Sequence, residues 1–392
     1  MVKNKYYLFF ILLGGILITY ASSSTETYFG RFIKWRASDI EDHTKFPKFE
    51  FEASQEPFYF NSAYKNLDTL RISQSKREKA ELINLLEQSG TTAFLIIKND
   101  TILYEKYLNG YERESINTSF SVAKSITSLV VGKAIDEQLI KGVKDSVVTY
   151  IPGLINTSPE YEKLLISHLL DMRSGIQFKD HDLPWGDKPK AYYNPALRRR
   201  IMELPLDYEP GSKFHYNSYN PILVGMILEK ATHLPPAKYF EKKVWNEVGM
   251  EYSGSWSMDS KESGMTKMES GLNLRAIDFA KFGRLILKKG NWNGKQLISK
   301  NWMTYSFEIS EEFKLPEFAD DLYYRNFWWI YANKKGSVYE IKCIAGTGHL
   351  GQYLFIFPTE KIIIVRMGKE NDKVDSWRSL FQEVVNHISR RN

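Results

Sequence analysis

The chain has 392 residues, 43% hydrophobic and 14% aromatic, enough for a sizeable core in two or three structural units or in one interrupted domain. Acids and bases are interspersed under a net charge of +6, and no basic block tracks a phosphate backbone, which disfavours a nucleic-acid partner. The single Cys343 excludes an internal disulfide and a multi-cysteine metal site; neither a His-Glu-x-x-His motif nor a Gly-rich phosphate loop ending in Gly-Lys-Ser/Thr is present.

Lys3 and Lys5 precede an uncharged apolar run from Tyr6 to Ala21, followed by three serines. This is the layout of a secretory signal, with Ala21-Ser22-Ser23 as an imperfect cleavage region, and its length approaches the roughly 17 residues that span a bilayer. Cleaved signal and uncleaved anchor both remain open. Either one predicts export, to the periplasm or beyond, with the membrane touched only through this segment. No cysteine follows the run to accept a lipid.

Thr25 to about Pro57 has no clear period and reads as surface wrapping. Ser75 to Ser89 predicts a helix, and Thr92–Lys98 with Thr101–Tyr107 predicts a hairpin about Asn99-Asp100. A helix follows from about Ser121, with Val122, Ala123, Ile126, Leu129 and Val130 at helical spacing and Thr118 or Ser119 as its N-cap. From about Ser146 to Gly290 the pattern is mostly helical with long loops: a short helix ending at Gly175, an irregular stretch from Phe178 to Asn194, and amphipathic helices over Pro221–Thr232 and Ala276–Lys288. Three β-rich runs, Tyr339–Ile344, Gly351–Phe357 and Lys361–Met367, and a helix over Trp377–Ser389 close the chain. Strands near both ends argue for one sheet assembled from distant parts.

Three segments bear chemistry. Ser-x-x-Lys occurs at Ser62/Lys65, Ser73/Lys76 and Ser121/Lys124, so the pattern alone decides nothing, but only the third opens an apolar helix. There a hydroxyl nucleophile and an amine lie within reach of each other near a positive helix end. The amine serves as a base once burial or a neighbouring cation lowers its pKa. Tyr216, between the Pro210-Gly211 turn and a helix, is a proton shuttle if nearby cations lower its pKa; its bland alternative is core packing, with Asn217 or Ser218 as a cap. Gly346, Thr347, Gly348 and His349 lead into a strand, where three glycines in six residues admit close approach to the backbone. A backbone N–H there, with that of Ser121, would form an oxyanion hole; the alternative is a simple bulge.

Together these segments resemble the serine hydrolases of the class C β-lactamase and DD-peptidase superfamily. The connecting stretches Asp145–Pro152, Ile166–Ile176 and Arg275–Gly283 resemble it too, over about Ala93 to the end. The resemblance implies an α+β fold, with an antiparallel sheet built from both ends of the chain, flanked by helices and interrupted by a mostly helical region. The corresponding division is 1–24 signal or anchor, 25–74 extension, 75–145 with 291–392 sheet domain, and 146–290 helical region. It also implies an acyl-enzyme on Ser121, served by Lys124 and Tyr216, with no metal or cofactor.

Two positions depart from the superfamily. Tyr-x-Asn reads Tyr216-Asn217-Ser218, and the third motif lacks its Lys-Thr-Gly cation. That motif fits either His349-Leu350-Gly351, with Gln352 giving the oxyanion N–H, or Gly346-Thr347-Gly348, with His349 giving it; we favour the second. Both departures resemble the esterase and 6-aminohexanoate-dimer hydrolase branch. A missing cation removes a charge-assisted grip on a β-lactam or peptide carboxylate. The expectation is hydrolysis of a small amide or ester, with a cell-wall DD-peptidase or β-lactamase, or a non-catalytic sensor, as alternatives. His181, Asp182 and Trp185 in the long loop, and Phe327-Trp328-Trp329, are candidates to line the cleft. Oligomeric state is left open.

Overall fold

A computed structural model describes residues 24–74 and 78–390. The signal or anchor expected over 1–24 lies almost wholly outside the described residues, as does Ser75, the expected start of the first helix.

In chain order, the elements that position the site begin with helix α1 (Tyr28–Trp35) and strands β1 (Lys48–Phe51) and β2 (Asn61–Ser62). The hairpin β3 (Thr91–Lys98) and β4 (Thr101–Tyr107) follows, then β5 (Asn117–Thr118) and helix α2 (Val122–Asp136). The middle of the chain carries α3 (Asp187–Tyr193), α4 (Tyr219–Thr232), β6 (Gly254–Ser257), β7 (Leu272–Leu274) and α5 (Ala276–Leu287). Strands β8 (Leu322–Arg325), β9 (Trp328–Lys335), β10 (Val338–Gly348), β11 (Gln352–Phe357) and β12 (Ile362–Gly368) then lead to α6 (Trp377–Arg390).

The main sheet has eight strands in the order β8-β9-β10-β11-β12-β3-β4-β2. Every pairing is antiparallel except the short parallel addition of β2 to β4. The join of the two chain ends is β12 against β3, with Ile364 opposite Ile96. Alternation along β3 separates the two layers. Phe94 and Ile96 face α6 and the Leu82–Gln88 helix, while Leu95 and Ile97 face the larger core that includes α2 and α5. The β3–β4 turn has positive φ at both Asn99 and Asp100, the geometry that favours Asn and Asp in a two-residue hairpin.

Several expectations change. The first helix is confined to Leu82–Gln88, because Lys79–Glu81 pairs with Arg71–Ser73 as a small hairpin. Within the mostly helical residues 146–290, β6 and β7 join β1 and β5 in a four-stranded sheet, and α5 packs across β11, β12 and β3. The irregular stretch contains α3. Residues 25–57 do more than wrap the surface, because β1 pairs with β6 and Arg31 is buried. These strands have two to four residues and partners far away in sequence, so no local period announces them.

Candidate active site

Between β5 and α2 the chain turns sharply. Phe120 sits at φ +47, a conformation uncommon for a bulky residue, and delivers Ser121 to the cap position of α2. Neither Thr118 nor Ser119 is the N-cap: the Thr118 hydroxyl instead accepts from the His43 N–H, at 3.1 Å. Phe120 is fixed by edge-on packing against His349, with ring centroids 5.3 Å apart, and by Tyr192 at 6.0 Å.

Lys124, one helical turn on, is 1% exposed. Its Nζ lies 2.8 Å from Ser121 Oγ and 2.8 Å from the Glu269 carbonyl oxygen. Burial lowers its pKa to about 7; Lys267 adds to that fall and Glu269 opposes it. Lys267 is itself buried, 2.6 Å from Glu269 Oε1 and 2.7 Å from the Tyr192 carbonyl. The amine that could serve as base therefore stands beside a paired cation and anion, neither of which was singled out in the sequence. Glu269 and Lys267 sit in an irregular segment ahead of β7, with no motif to mark them.

The Tyr216 ring reaches the same hydroxyl. Its phenol hydrogen-bonds to Ser121, and its ring centroid is 5.3 Å from Lys124 Nζ. Trp329 stacks on it at 5.7 Å with an interplanar angle of 19°. One expectation is reversed here. Burial pushes the Tyr216 pKa up to about 12, with the Ser121 hydrogen bond opposing only part of the rise, so the phenol keeps its proton at neutral pH. Asn217 is buried, its amide donating to the Ile176 carbonyl and its Oδ1 accepting from the Tyr219 N–H, while Ser218 borders the cleft at the cap position of α4.

The end of β10 lies against the start of α2. A Cβ on Gly346 would fall 2.6 Å from Val122 Cγ1, and one on Gly348 would fall 2.5 Å from the Ser119 carbonyl. The Gly346-Thr347-Gly348 register therefore matches the strand that flanks the nucleophile, and His349 begins the turn beyond it. His349 reaches solvent at the cleft mouth, and desolvation lowers its pKa below the usual histidine value, outweighing the pull of Asp182 and Asp42. Gln352 does not face the cleft: its amide donates to the carbonyls of His349 and Gly368, which braces the turn.

Ser121, Lys124, Tyr216, Ser218, Glu269 and His349 share a cavity of about 620 Å³, within the range of small-molecule sites. Phe120, Phe178, Tyr192, Tyr193, Lys188 and Asp182 line it, together with Phe32, Arg36, Ala37 and Ser38 from the N-terminal extension. Of the loop candidates, Asp182 borders the cavity, whereas His181 and Trp185 pack against each other, 6.4 Å between centroids, away from it. Phe327 and Trp328 are core residues; the Phe327 carbonyl accepts from Ser125 Oγ at 2.7 Å. The N-terminal wall was missed because its residues carry no motif.

A serine, a buried lysine and a phenol on one hydroxyl, held beside a glycine-bearing strand of a largely antiparallel sheet, define a Ser–Lys serine hydrolase of α+β fold. The family model described as Beta-lactamase matches residues 82–385, and the chain belongs to that family. It is 24% identical over 339 residues to the 6-aminohexanoate-dimer hydrolase of Paenarthrobacter ureafaciens, covering 82% of this chain and 83% of that one. Among solved structures, a Bacillus anthracis protein provisionally named 6-aminohexanoate-dimer hydrolase superposes with TM-score 0.80 at 22% identity, over 93% of this chain and 97% of that one. A penicillin-binding protein from Bacillus halodurans superposes with TM-score 0.61 at 15% identity, over 78% and 99%. These likenesses describe the fold.

Proposed function

We propose that this serine hydrolase cleaves an amide or ester bond of a small substrate through an acyl-enzyme on Ser121. The observation that carries the reading is the 2.8 Å contact between Ser121 Oγ and a lysine whose burial brings its pKa to about 7. At neutral pH a large fraction of that amine is unprotonated, so Lys124 takes the Ser121 proton as Oγ attacks the carbonyl. The backbone N–H groups of Ser121 and His349 hold the oxyanion. Tyr216, still protonated, donates to the leaving group and recovers its proton from the Lys124 ammonium. Water then attacks the acyl ester, giving its proton to Lys124, and Ser121 Oγ is reprotonated as the acid leaves.

The third motif lacks a lysine and desolvation disfavours the charged form of His349, which leaves no permanent cation there for a β-lactam or peptide carboxylate. A linear amide, of the kind named for the Paenarthrobacter relative, or a short ester suits the cleft better. The apolar run Tyr6–Ala21 supports an exported enzyme held at a membrane by that segment. The chemical reading is tested with p-nitrophenyl esters under rapid mixing. A burst of one nitrophenol per enzyme is expected, abolished in Ser121→Ala while the thermal transition persists. A full burst in that variant would overturn it.

A further inference from the structure

Helix α1 is fixed by one face. The buried Arg31 donates to the Thr25, Tyr193 and Asp259 carbonyls, Phe32 packs on Tyr193 at 6.2 Å, and Trp35 packs on Phe46 at 4.7 Å. Its other face presents Phe29 and Ile33, four residues apart and 57% and 50% exposed. The Tyr28 hydroxyl donates to the Pro184 carbonyl at 2.6 Å, which brings the loop bearing Leu183 and Trp185, 52% and 62% exposed, against the start of the helix. Four of the nine large apolar side chains exposed among the described residues thus gather on two joined segments. Those same segments supply Phe32, Arg36, Asp182 and Lys188 to the cleft wall.

We propose that Phe29, Ile33, Leu183 and Trp185 form the face by which the enzyme rests on a lipid bilayer, so that the Ser121 cleft opens at the membrane surface. The placement of the chain argues for lipid. The uncharged run Tyr6–Ala21 ends four residues before Thr25, whose carbonyl Arg31 holds one turn from Phe29. A segment of that composition in a bilayer confines this patch, rather than the far side of the molecule, to the headgroup region. Trp with aliphatic and Phe neighbours is the side-chain set that settles there. Around the patch Lys34, Arg36, Lys188 and Lys190 are offset by Glu26, Asp180 and Asp182. Attraction is therefore mainly apolar and insensitive to salt. The substrates that profit are amphiphilic amides or esters presented at the lipid surface.

The inference rests on the reading of residues 6–21 as a retained membrane segment, and the test separates the two. The full chain is reconstituted in vesicles of phosphatidylcholine with phosphatidylglycerol as the minor lipid. An environment-sensitive NBD probe is placed through Trp185→Cys, through Phe29→Cys in a second variant, and through Val338→Cys as control. Val338 is exposed at the opposite end of the 11-residue β10, about 33 Å from the cleft end. The expected result is co-sedimentation with vesicles, with doxyl-lipid quenching several-fold stronger at 185 and 29 than at 338, unchanged in high salt. Failure to sediment overturns the anchor and the docking face together. Sedimentation with equal quenching at all three positions overturns the docking face alone. Probe shielding at 185 that depends on protein concentration without vesicles assigns the patch to a second copy, which also overturns the proposal.

Discussion

Lys124 shows how one buried group shapes both activity and stability. In the unfolded chain a lysine titrates near 10.4, whereas burial brings Lys124 to about 7. Above both values the amine is neutral in either state and folding carries no penalty. Between them the unfolded chain binds a proton that the folded one does not, so stability declines as pH falls, levelling below about 7. Replacing Lys124 with Met should abolish turnover yet raise the urea midpoint at pH 6, with the gain shrinking by pH 10; an unchanged midpoint at pH 6 would contradict the burial argument. In the wild type, kcat/KM should rise with pH through about 7 as the base loses its proton. Tyr216→Phe should lower kcat by about a hundredfold, the lower range of proton-transfer contributions, while leaving that ascending limb in place. A limb that moves with Tyr216→Phe would assign the titration to the wrong residue.

At the scale of elements, the turn His349–Gly351 carries the proposed oxyanion donor, and a buried cation supports it together with the Gln352 amide. Arg366 is fully buried, donates to the Gly351, Ser89 and Glu370 carbonyls at 2.7 Å each, and lies 3.9 Å over the Trp377 ring. No carboxylate pairs with it in these contacts, and desolvation lowers its pKa to about 9. Gly351 has φ +79, and a Cβ there would stand 2.0 Å from Arg366 Nη1. Gly351→Ala should therefore cost about 1–3 kcal/mol of stability and lower kcat more than it raises KM, since the turn serves the transition state; a silent substitution in both would contradict the bracing. The sequence makes α2, α4, α5, α6 and the β3–β4 hairpin legible because each has its own period or turn residues. It leaves β5, β6 and β7 illegible, since strands this short exist only through pairing with distant partners. Ser121, Lys124 and Tyr216 are legible only through the family resemblance of their segments taken together, since Ser-x-x-Lys occurs three times in the chain and Tyr216 alone reads equally well as core. Glu269 and Lys267 are not legible, because burial and ion pairing that act through space leave no spacing to read.

The whole molecule assembles its cleft from parts that the family match does not span. Matched residues begin at 82, yet Phe32, Arg36, Ala37 and Ser38 form one wall, locked to α3 by the Tyr193 hydroxyl donating to the Arg36 carbonyl. Deleting residues 1–47 spares β1 and the sheet but removes that wall. The truncated protein should retain fluorophosphonate labelling of Ser121 while KM for esters with aromatic acyl groups rises at least about tenfold, the equivalent of one lost contact of 1.4 kcal/mol. An unchanged KM would mean the wall does not meet substrate. The central claim, covalent catalysis on Ser121, is tested most directly by intact-protein mass spectrometry of the enzyme quenched in acid during turnover of a slow ester. A mass increase of one acyl group is expected, mapped to the peptide bearing Ser121 and absent from Ser121→Ala. Turnover without any acylated species, or an acyl group mapped to another residue, would contradict it.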